Sequence, residues 1–355
     1  MAFHAGVIQY LAECQALESV RQISTVSGGT LLIGLMLQVN GMRWPRSQQF
    51  THHVLPGLRH VMTTRSLQWR TLGRLMFVPW NWRFAFARAN VLAKEIASGW
   101  NISATLRSVP ATPTWSINGT TAETGRRFRF KDHECGDRML GYASVPDFPV
   151  AMAMAMSAAF PGGIGPLALD CRELSWYQHL FTSGTAVRGN DVQPSHNKVH
   201  LYDGGLYDNL GLEPLFDLAK QRTRSKDVGL VVSDAGAPFR DEPLKGSLNP
   251  MRINRWLDVT TDQQRALRVR TFVHALKSRS VRGAYLQIGT SAVRKLRDYA
   301  THLPVTKTDW LKDEDAESVA LIPTSLNRLA PESFDHICRH GYETARWNNL
   351  AFPYC

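Results

Sequence analysis

The sequence QISTVSGGTLLIGLMLQVN, residues 22–40, predicts a strand, a tight turn and an apolar helix. The run from Val20 to Val26 is typical of a short buried strand, and Ser27-Gly28-Gly29 interrupts it. Residues Thr30 to Val39 then continue as an apolar helix. Because a strand, a turn and a helix in this order open a βα unit, we predict an α/β fold.

The turn presents Ser27 as a candidate nucleophile. A serine on a tight turn between a strand and a helix exposes its hydroxyl above the sheet. The start of the helix adds N–H groups and the positive end of its dipole, which favour a developing oxyanion. The residue two positions after the serine must be small because helix and strand approach closely there, and Gly29 meets this requirement. Thr25 replaces the first glycine of the GxSxG pattern, so a turn without a catalytic role stays open.

A second candidate group, Asp203-Gly204-Gly205, follows the predicted strand from Lys198 to Tyr202. Open α/β sheets place their sites at the carboxyl ends of strands. A carboxylate there can serve as general base toward a serine hydroxyl within hydrogen-bond reach. The alternative is a plain turn, in which Asp203 bonds to the backbone and the glycines supply positive φ.

The rest of the chain alternates between predicted strands and helices. We predict strands at 114–118, 127–131, 229–233 and 284–288, and helices at 1–17, 151–159, 254–278 and from 331 onward. Residues 171–197 are predicted to be a loop.

One segment has an unusual composition. Between Ser19 and Lys94 there is no Asp or Glu, whereas ten Lys or Arg residues occur. We predict a helical insert at about 41–100. The aromatic residues of the stretch from Ser19 to Lys94 are Trp44, Phe50, Trp69, Phe77, Trp80, Trp82, Phe84 and Phe86. This mixture suits docking at a lipid interface, stacking on single-stranded nucleic acid, or plain core packing under solvated arginines.

Composition limits the class of protein. The 355 residues carry 41 Lys or Arg and 30 Asp or Glu, a net charge of +11 that suggests an anionic partner, nucleic acid or phospholipid. The five cysteines lie far apart, which favours a reducing compartment over a disulfide scaffold or zinc ribbon. No apolar run has the length of a membrane span, and MAFHAGVIQY lacks signal-peptide features. We therefore predict a cytoplasmic protein, soluble or peripheral at a membrane.

Several segments, in order along about 330 residues, together resemble the patatin-like phospholipase family. They are residues 22–40, the run PTWSINGTTAETG at 113–125, SAAFPG at 157–162, DGGLYDNLG at 203–211, VVSDAG at 231–236 and IPTSL at 322–326.

The resemblance implies a three-layer α/β/α fold with a mostly parallel central sheet. It implies a catalytic domain at 1–240 that includes the insert, and a C-terminal helical extension at 241–355 packed on the same domain. Ser27 stands at the position of the family's nucleophile, and Asp203 at that of the carboxylate that deprotonates it without a histidine. Gly28, Gly29, Gly204 and Gly205 would support the turns and the oxyanion.

The implied activity is hydrolysis of acyl-ester lipids, such as phospholipids, through an acyl-enzyme. It uses no cofactor and no metal. An anionic membrane surface is the expected partner, and no nucleic acid is expected. Two alternatives stay open: a non-catalytic or impaired relative that only binds lipid surfaces, and a basic nucleic-acid binder.

The resemblance is incomplete at the N-terminus. The family's oxyanion hole is a Gly-Gly-Gly-x-Arg loop, and MAFHAGVI looks like the segment that follows it. Losing even one oxyanion donor lowers the rate on the order of a hundred- to a thousandfold. We expect the true start codon to lie upstream, and a truncated remnant is the alternative.

Other polar residues have weaker claims to a function. The pairs His52-His53 and His336 with His340 have a spacing that metal ligands also show, although solvated helix positions fit the second pair better. The remaining candidates are Asp208 and Asp234 as turn caps, Asn118 as a strand-end residue and His4 as a substitute base.

Overall fold

Nine strands form one mixed sheet in the computed structural model of the protein. The structure describes residues 1–68, 71, 88–161, 164–182, 185–239, 241–242, 244, 252–299 and 310–355. The chain divides into two compact units. The sheet unit consists of residues 21–44 and 65–211, and the helical unit consists of residues 1–20, 45–64 and 212–355.

The large sheet belongs to the sheet unit and has the strand order β6-β9-β2-β3-β4-β5-β7-β8, with β1 also paired to β2. Its strands are β1 (Gln22–Thr25), β2 (Thr114–Thr121), β3 (Arg127–Lys131), β4 (Glu134–Asp137), β5 (Gly141–Ser144), β6 (Leu167–Asp170), β7 (Trp176–Thr182), β8 (Thr185–Val192) and β9 (Lys198–Asp203).

The α/β class is confirmed, but the prediction of a mostly parallel sheet is wrong. Among the described strands of this sheet, only β1 and β2 pair in parallel, whereas the other pairings are antiparallel. The physical reason is the length of the connections. Turns of a few residues join β2 to β3, β3 to β4 and β4 to β5, and such short turns permit only antiparallel neighbours. The three-layer arrangement stays a prediction.

One edge of β2 brings two distant parts of the chain together. Thr25 of β1 pairs with Ile117, and Asp203 of β9 pairs with Gly119. Strand β3 pairs with the same stretch of β2 from the other side. Strands β1 and β9 therefore lie end to end along the remaining edge, and their carboxyl ends meet beside Asn118.

Among its described residues, the sheet unit has four α-helices. They are Gly28–Val39, Ala89–Gly99, Val150–Ser157 and Gly205–Asp208, with 3-10 turns at Leu106–Ser108 and Cys171–Glu173. The helix Val150–Ser157 packs closely on its neighbours. A Cβ added to Gly119 of β2 would lie 1.8 Å from Met156 Sδ, so any larger residue there would force the Met156 side chain to move.

The helical unit contains seven α-helices among its described residues. They are Ala2–Glu13, Ser47–Gln49, Leu55–Thr64, Arg252–Lys277, Ala292–Tyr299, Asp313–Val319 and Pro331–Ala351, with a 3-10 turn at Leu17–Ser19 and a π-helical turn at Phe50–Val54. Two small sheets accompany them. Strands β10 (Phe216–Asp217) and β11 (Arg222–Thr223) pair antiparallel, and β12 (Leu230–Asp234) and β13 (Gly283–Gln287) pair in parallel.

The sequence predictions for single elements have mixed outcomes. The helices and strands named above that flank Ser27 and Asp203 agree within a few residues. The predicted loop at 171–197 is wrong, because β7 and β8 form a hairpin there. Six of the aromatic residues in the predicted insert lie outside the described residues, namely Trp69, Phe77, Trp80, Trp82, Phe84 and Phe86. The domain boundary near residue 240 stays a prediction.

Candidate active site

Ser27 has a backbone conformation that is rare for any residue other than glycine. Its φ is 52° and its ψ is −123°, at the junction between β1 and the helix Gly28–Val39. Such a conformation costs on the order of 1–3 kcal/mol, so the surrounding structure must hold it in place. The side chain is half-buried. A strained serine between a strand and a helix is the geometry of a nucleophile elbow.

Hydrogen bonds on both sides hold this turn. The N–H of Ser27 donates to the Ser157 carbonyl oxygen at 3.1 Å and to the Ser157 hydroxyl at 3.0 Å. The N–H of Gly29 donates to the Val26 carbonyl at 2.9 Å, and that of Leu31 to the Ser27 carbonyl at 3.1 Å. The backbone of Ser27 is thus fixed from before and after.

A buried group of polar side chains continues from Ser157. Its hydroxyl donates to the Asn118 carbonyl at 2.7 Å. Thr30 Oγ1 lies 2.8 Å from Ser157 Oγ and 2.8 Å from Thr25 Oγ1, and the Trp115 indole N–H donates to Thr25 Oγ1 at 2.9 Å. All five residues are buried. Because buried polar groups need partners, this network favours one arrangement of the turn.

Asp203 is the last residue of β9 and is only 3% exposed. Its N–H donates to the Ala159 carbonyl at 3.0 Å, and its own carbonyl accepts the Thr120 hydroxyl at 2.9 Å. One carboxylate oxygen, Oδ1, accepts the Gly205 N–H at 2.7 Å. The carboxyl group is therefore held in one orientation at the end of the strand.

Burial raises the pKa of Asp203 from its usual 3.8 to about 6. The Gly205 N–H and a hydrogen bond with the Ser27 side chain oppose this shift, because both stabilise the charged carboxylate. The Ser27 hydroxyl therefore lies near enough to Asp203 to stabilise its charged form. A carboxylate with a pKa near neutrality, bonded to a hydroxyl, is suited to accept a proton from it.

The four glycines have different roles. A Cβ added to Gly204 would lie 2.6 Å from the Asn118 carbonyl oxygen, so the close approach of two backbones requires glycine there. At Gly29 an added Cβ would lie 3.9 Å from Thr25 Cβ, an ordinary contact distance, so a side chain as small as that of alanine also fits there. The N–H groups of Gly29 and Gly205 already donate within the turns. Gly28 begins the helix that follows Ser27.

Three of the weaker candidates form hydrogen bonds or an ion pair that hold the fold together. Asn118 is buried in β2, and its amide donates to Ser24 Oγ and to the Thr25 carbonyl, both at 3.0 Å. Asp234 forms an ion pair with Arg265. The prediction of a solvated position is wrong for His340, which is buried and accepts the Gly289 N–H at 2.8 Å.

The remaining candidates give no catalytic cluster of their own. His4 Nδ1 lies 2.7 Å from Ser233 Oγ, and both residues belong to the helical unit. His52 and His53 belong to a π-helical turn, and Asp208 is buried in the helix that follows Gly204. Across the described residues, no group of three or more His, Cys, Asp or Glu side chains is placed to hold a metal ion.

Sequence reasoning missed Ser157 and Thr30. Ser157 lies in the quoted SAAFPG run, yet nothing assigned it a role. One signal was present, because it is the only hydroxyl side chain in the otherwise apolar AMAMAMSAA helix. A lone polar residue in a buried helix must bond to something.

A family described as patatin-like phospholipase matches residues 1–216 of this chain. No curated protein is a significant match to it. Within the residues that the structure describes, no helix has the length and apolar character that a membrane span requires.

Proposed function

Because this chain belongs to the patatin-like phospholipase family, we propose that it hydrolyses lipid acyl esters with Ser27 as nucleophile and Asp203 as its base. The single observation that supports this most is that β1 and β9 end side by side along β2, which places the Ser27 hydroxyl where it lowers the pKa of Asp203. The match of residues 1–216 to this family supports lipid hydrolysis as the general class of reaction.

In the proposed reaction, Asp203 accepts the proton of the Ser27 hydroxyl as Oγ attacks the ester carbonyl carbon. The C–O bond to the alcohol then breaks, and the alcohol departs with that proton. The acyl group stays bound to Ser27. Water attacks the acyl-enzyme, with Asp203 again accepting a proton. The fatty acid departs, and its departure restores the proton to Ser27.

The negative oxygen that forms on the carbonyl needs hydrogen-bond donors. We assign the Gly28 N–H to this role, since the residue after the nucleophile supplies such a donor in nucleophile elbows. The N–H groups of Gly29 and Gly205 are occupied by the Val26 carbonyl and by Asp203 Oδ1. A full oxyanion hole requires at least one further donor.

The direct test is hydrolysis of medium-chain p-nitrophenyl esters by the wild-type chain and by Ser27→Ala. Ser98→Ala is the matched control, since Ser98 is exposed and its hydroxyl donates to the Lys94 carbonyl within its own helix. We expect Ser27→Ala to abolish release of p-nitrophenol and Ser98→Ala to leave it unchanged. A fluorophosphonate should also add covalently to Ser27. Equal hydrolysis by wild type and Ser27→Ala would refute the proposal.

We also propose that the substrate is met at an anionic membrane surface. The net charge of +11 supports this, because cationic proteins accumulate at anionic lipid. Sedimentation with vesicles of phosphatidylglycerol should exceed sedimentation with phosphatidylcholine vesicles, and salt should reduce the difference. Equal binding to both lipids would contradict the proposal, and vesicle binding without ester hydrolysis would favour a non-catalytic lipid binder.

A further inference from the structure

Two cysteines from opposite ends of the sequence meet in the helical unit. Cys14 follows the helix Ala2–Glu13, and Cys355 lies beyond the helix Pro331–Ala351. Their Sγ atoms lie 2.7 Å apart, and both are free thiols in the structure. Thiols 341 residues apart in sequence reach each other only if the fold holds both segments in place.

The two helices that carry these segments pack against each other at very short range. A Cβ added to Gly6 would lie 1.8 Å from the Cys338 carbonyl oxygen, and one added to Gly341 would lie 2.0 Å from that of Phe3. Glycine at both positions therefore lets the two backbones touch. The helix ends, and the cysteines beyond them, have a fixed separation.

The segment that ends in Cys355 is anchored by Asn349. The Asn349 side-chain oxygen accepts the N–H groups of Tyr354 at 2.7 Å and of Cys355 at 3.1 Å, and its amide donates to the Tyr10 hydroxyl at 3.0 Å. The Tyr354 hydroxyl donates to the Ala345 carbonyl at 2.9 Å. These bonds direct the backbone after the helix back toward Cys14.

We propose that Cys14 and Cys355 are a site of covalent modification. They form a disulfide bond with each other by thiol–disulfide exchange with a small-molecule disulfide such as oxidised glutathione. The thiolate of exposed Cys355 attacks one glutathione sulfur, forms a mixed disulfide and releases one glutathione thiolate. The thiolate of Cys14 then attacks the Cys355 sulfur and releases the second glutathione. Two protein thiols are oxidised, one glutathione disulfide is reduced to two thiols, and the two protein protons pass to solvent and the glutathione thiolates.

Access distinguishes this pair from the other cysteines. Cys355 is exposed and Cys14 is half-buried, whereas Cys135, Cys171 and Cys338 are buried. Although Cys355 is exposed, partial desolvation of its thiol and the neighbouring Cys14 thiol raise its pKa to about 12. Since the thiolate is the attacking species, we expect the disulfide to form slowly at neutral pH and faster in alkaline buffer.

The test is independent of the proposed lipid hydrolysis. Purified full-length protein is incubated with oxidised glutathione, quenched with acid, alkylated and digested without reductant. Mass spectrometry should find the Cys14 peptide joined to the Cys355 peptide, at a mass two hydrogen atoms below their sum. Dithiothreitol should remove this species. A folded protein that yields no joined peptide, or only stable glutathione adducts, would overturn the proposal.

Two variants make the test specific. In Cys14→Ser the resolving thiol is gone, so Cys355 should retain one glutathione and form no joined peptide. In Asn349→Ala the anchor of the tail is removed, so the joined peptide should form several-fold more slowly while both thiols stay present. An unchanged rate in Asn349→Ala would contradict the placement of the tail. If a variant fails to fold, the peptide map of the wild-type protein still decides.

Discussion

Asp203 and Asp234 are two buried carboxylates with the same local turn and different surroundings. Each ends a strand, each is 3% exposed, and each accepts at Oδ1 the N–H of the glycine two residues later, at 2.7 Å from Gly205 and 2.9 Å from Gly236. Asp203 belongs to the sheet unit and Asp234 to the helical unit. The two carboxylates therefore have the same backbone surroundings.

Their side-chain partners differ. Asp234 Oδ2 accepts Arg265 Nε at 2.8 Å and the Tyr285 hydroxyl at 2.6 Å. Burial and the charge of Asp234 raise the pKa of Tyr285, so its phenol stays a hydrogen-bond donor. Asp203 has the Ser27 hydroxyl as partner, and its pKa is raised to about 6. A counter-charge makes a buried carboxylate structural, whereas a hydroxyl partner leaves it able to exchange a proton.

The largest expected effect is on catalysis by Asp203→Asn. The amide keeps the shape of the carboxyl group and cannot accept the Ser27 proton, so we expect kcat/KM for p-nitrophenyl esters to fall by about a thousandfold or more. Asp147→Asn, at an exposed ion pair with Arg107, is the matched control and should keep full activity. An Asp203→Asn protein that hydrolyses esters at a wild-type rate would break the distinction between the two carboxylates.

The second effect is on stability and concerns Asp234→Asn. Removal of this charge leaves the Arg265 guanidinium, whose side chain is 8% exposed, without its carboxylate. We expect the free energy of unfolding to fall by about 3–5 kcal/mol, measured by urea denaturation. The exposed ion pair between Arg107 and Asp147 is again the reference, because Asp147→Asn should change the free energy of unfolding by less than about 1 kcal/mol. Equal losses in the two variants would show that Arg265 gains little from Asp234.

Asp203→Asn should raise the free energy of unfolding in the same urea denaturation, whereas Asp234→Asn lowers it. The pKa of Asp203 is raised from 3.8 to about 6, so the folded protein binds this proton more tightly than the unfolded chain does. Its contribution to stability is therefore present at low pH and lost as the pH rises through about 6. We expect the variant to match wild type near pH 4 and to exceed it by up to about 3 kcal/mol at pH 8. If the variant were less stable than wild type at pH 8, the claim that the Asp203 charge is destabilising in the folded protein would be contradicted.

The smallest effect should come from Ser157→Ala. This change removes a partner of the Ser27 N–H and of the Asn118 carbonyl, so we expect kcat to fall about tenfold with KM unchanged. Ser291→Ala, a buried serine of the helical unit whose hydroxyl donates to Asp313, is the matched control. It should lower stability and leave kcat unchanged. The same fall of kcat in both variants would refute a positioning role for Ser157.

Local elements at the site were predictable from the sequence. The apolar run before Ser27, the glycines after it and the apolar helix that follows are local signals, and the structure has β1, the turn and the helix Gly28–Val39 there. The strand that ends at Asp203 was predictable for the same reason. The strained φ of Ser27 agrees with a turn that most residues avoid.

Pairing and partners were not predictable from these patterns. Alternation of apolar residues reveals a strand but not its neighbour or direction, so no residue pattern could correct the mostly parallel sheet that the family resemblance implied. Strand β8 contains Gly189, Asn190 and Asp191, which are poor strand formers, and the hairpin was therefore missed. Asp203 and Asp234 have similar sequence contexts, and only the fold shows that Arg265 lies beside one of them.

The rate at which a fluorophosphonate labels Ser27 tests the central claim most directly, measured from about pH 4.5 to about pH 9 in wild type and in Asp203→Asn. The account predicts a wild-type rate that rises with one titration near pH 6 and then levels off. It predicts slow labelling without that titration in Asp203→Asn. Equal rates and equal pH profiles in the two proteins, or labelling of a residue other than Ser27, would contradict it.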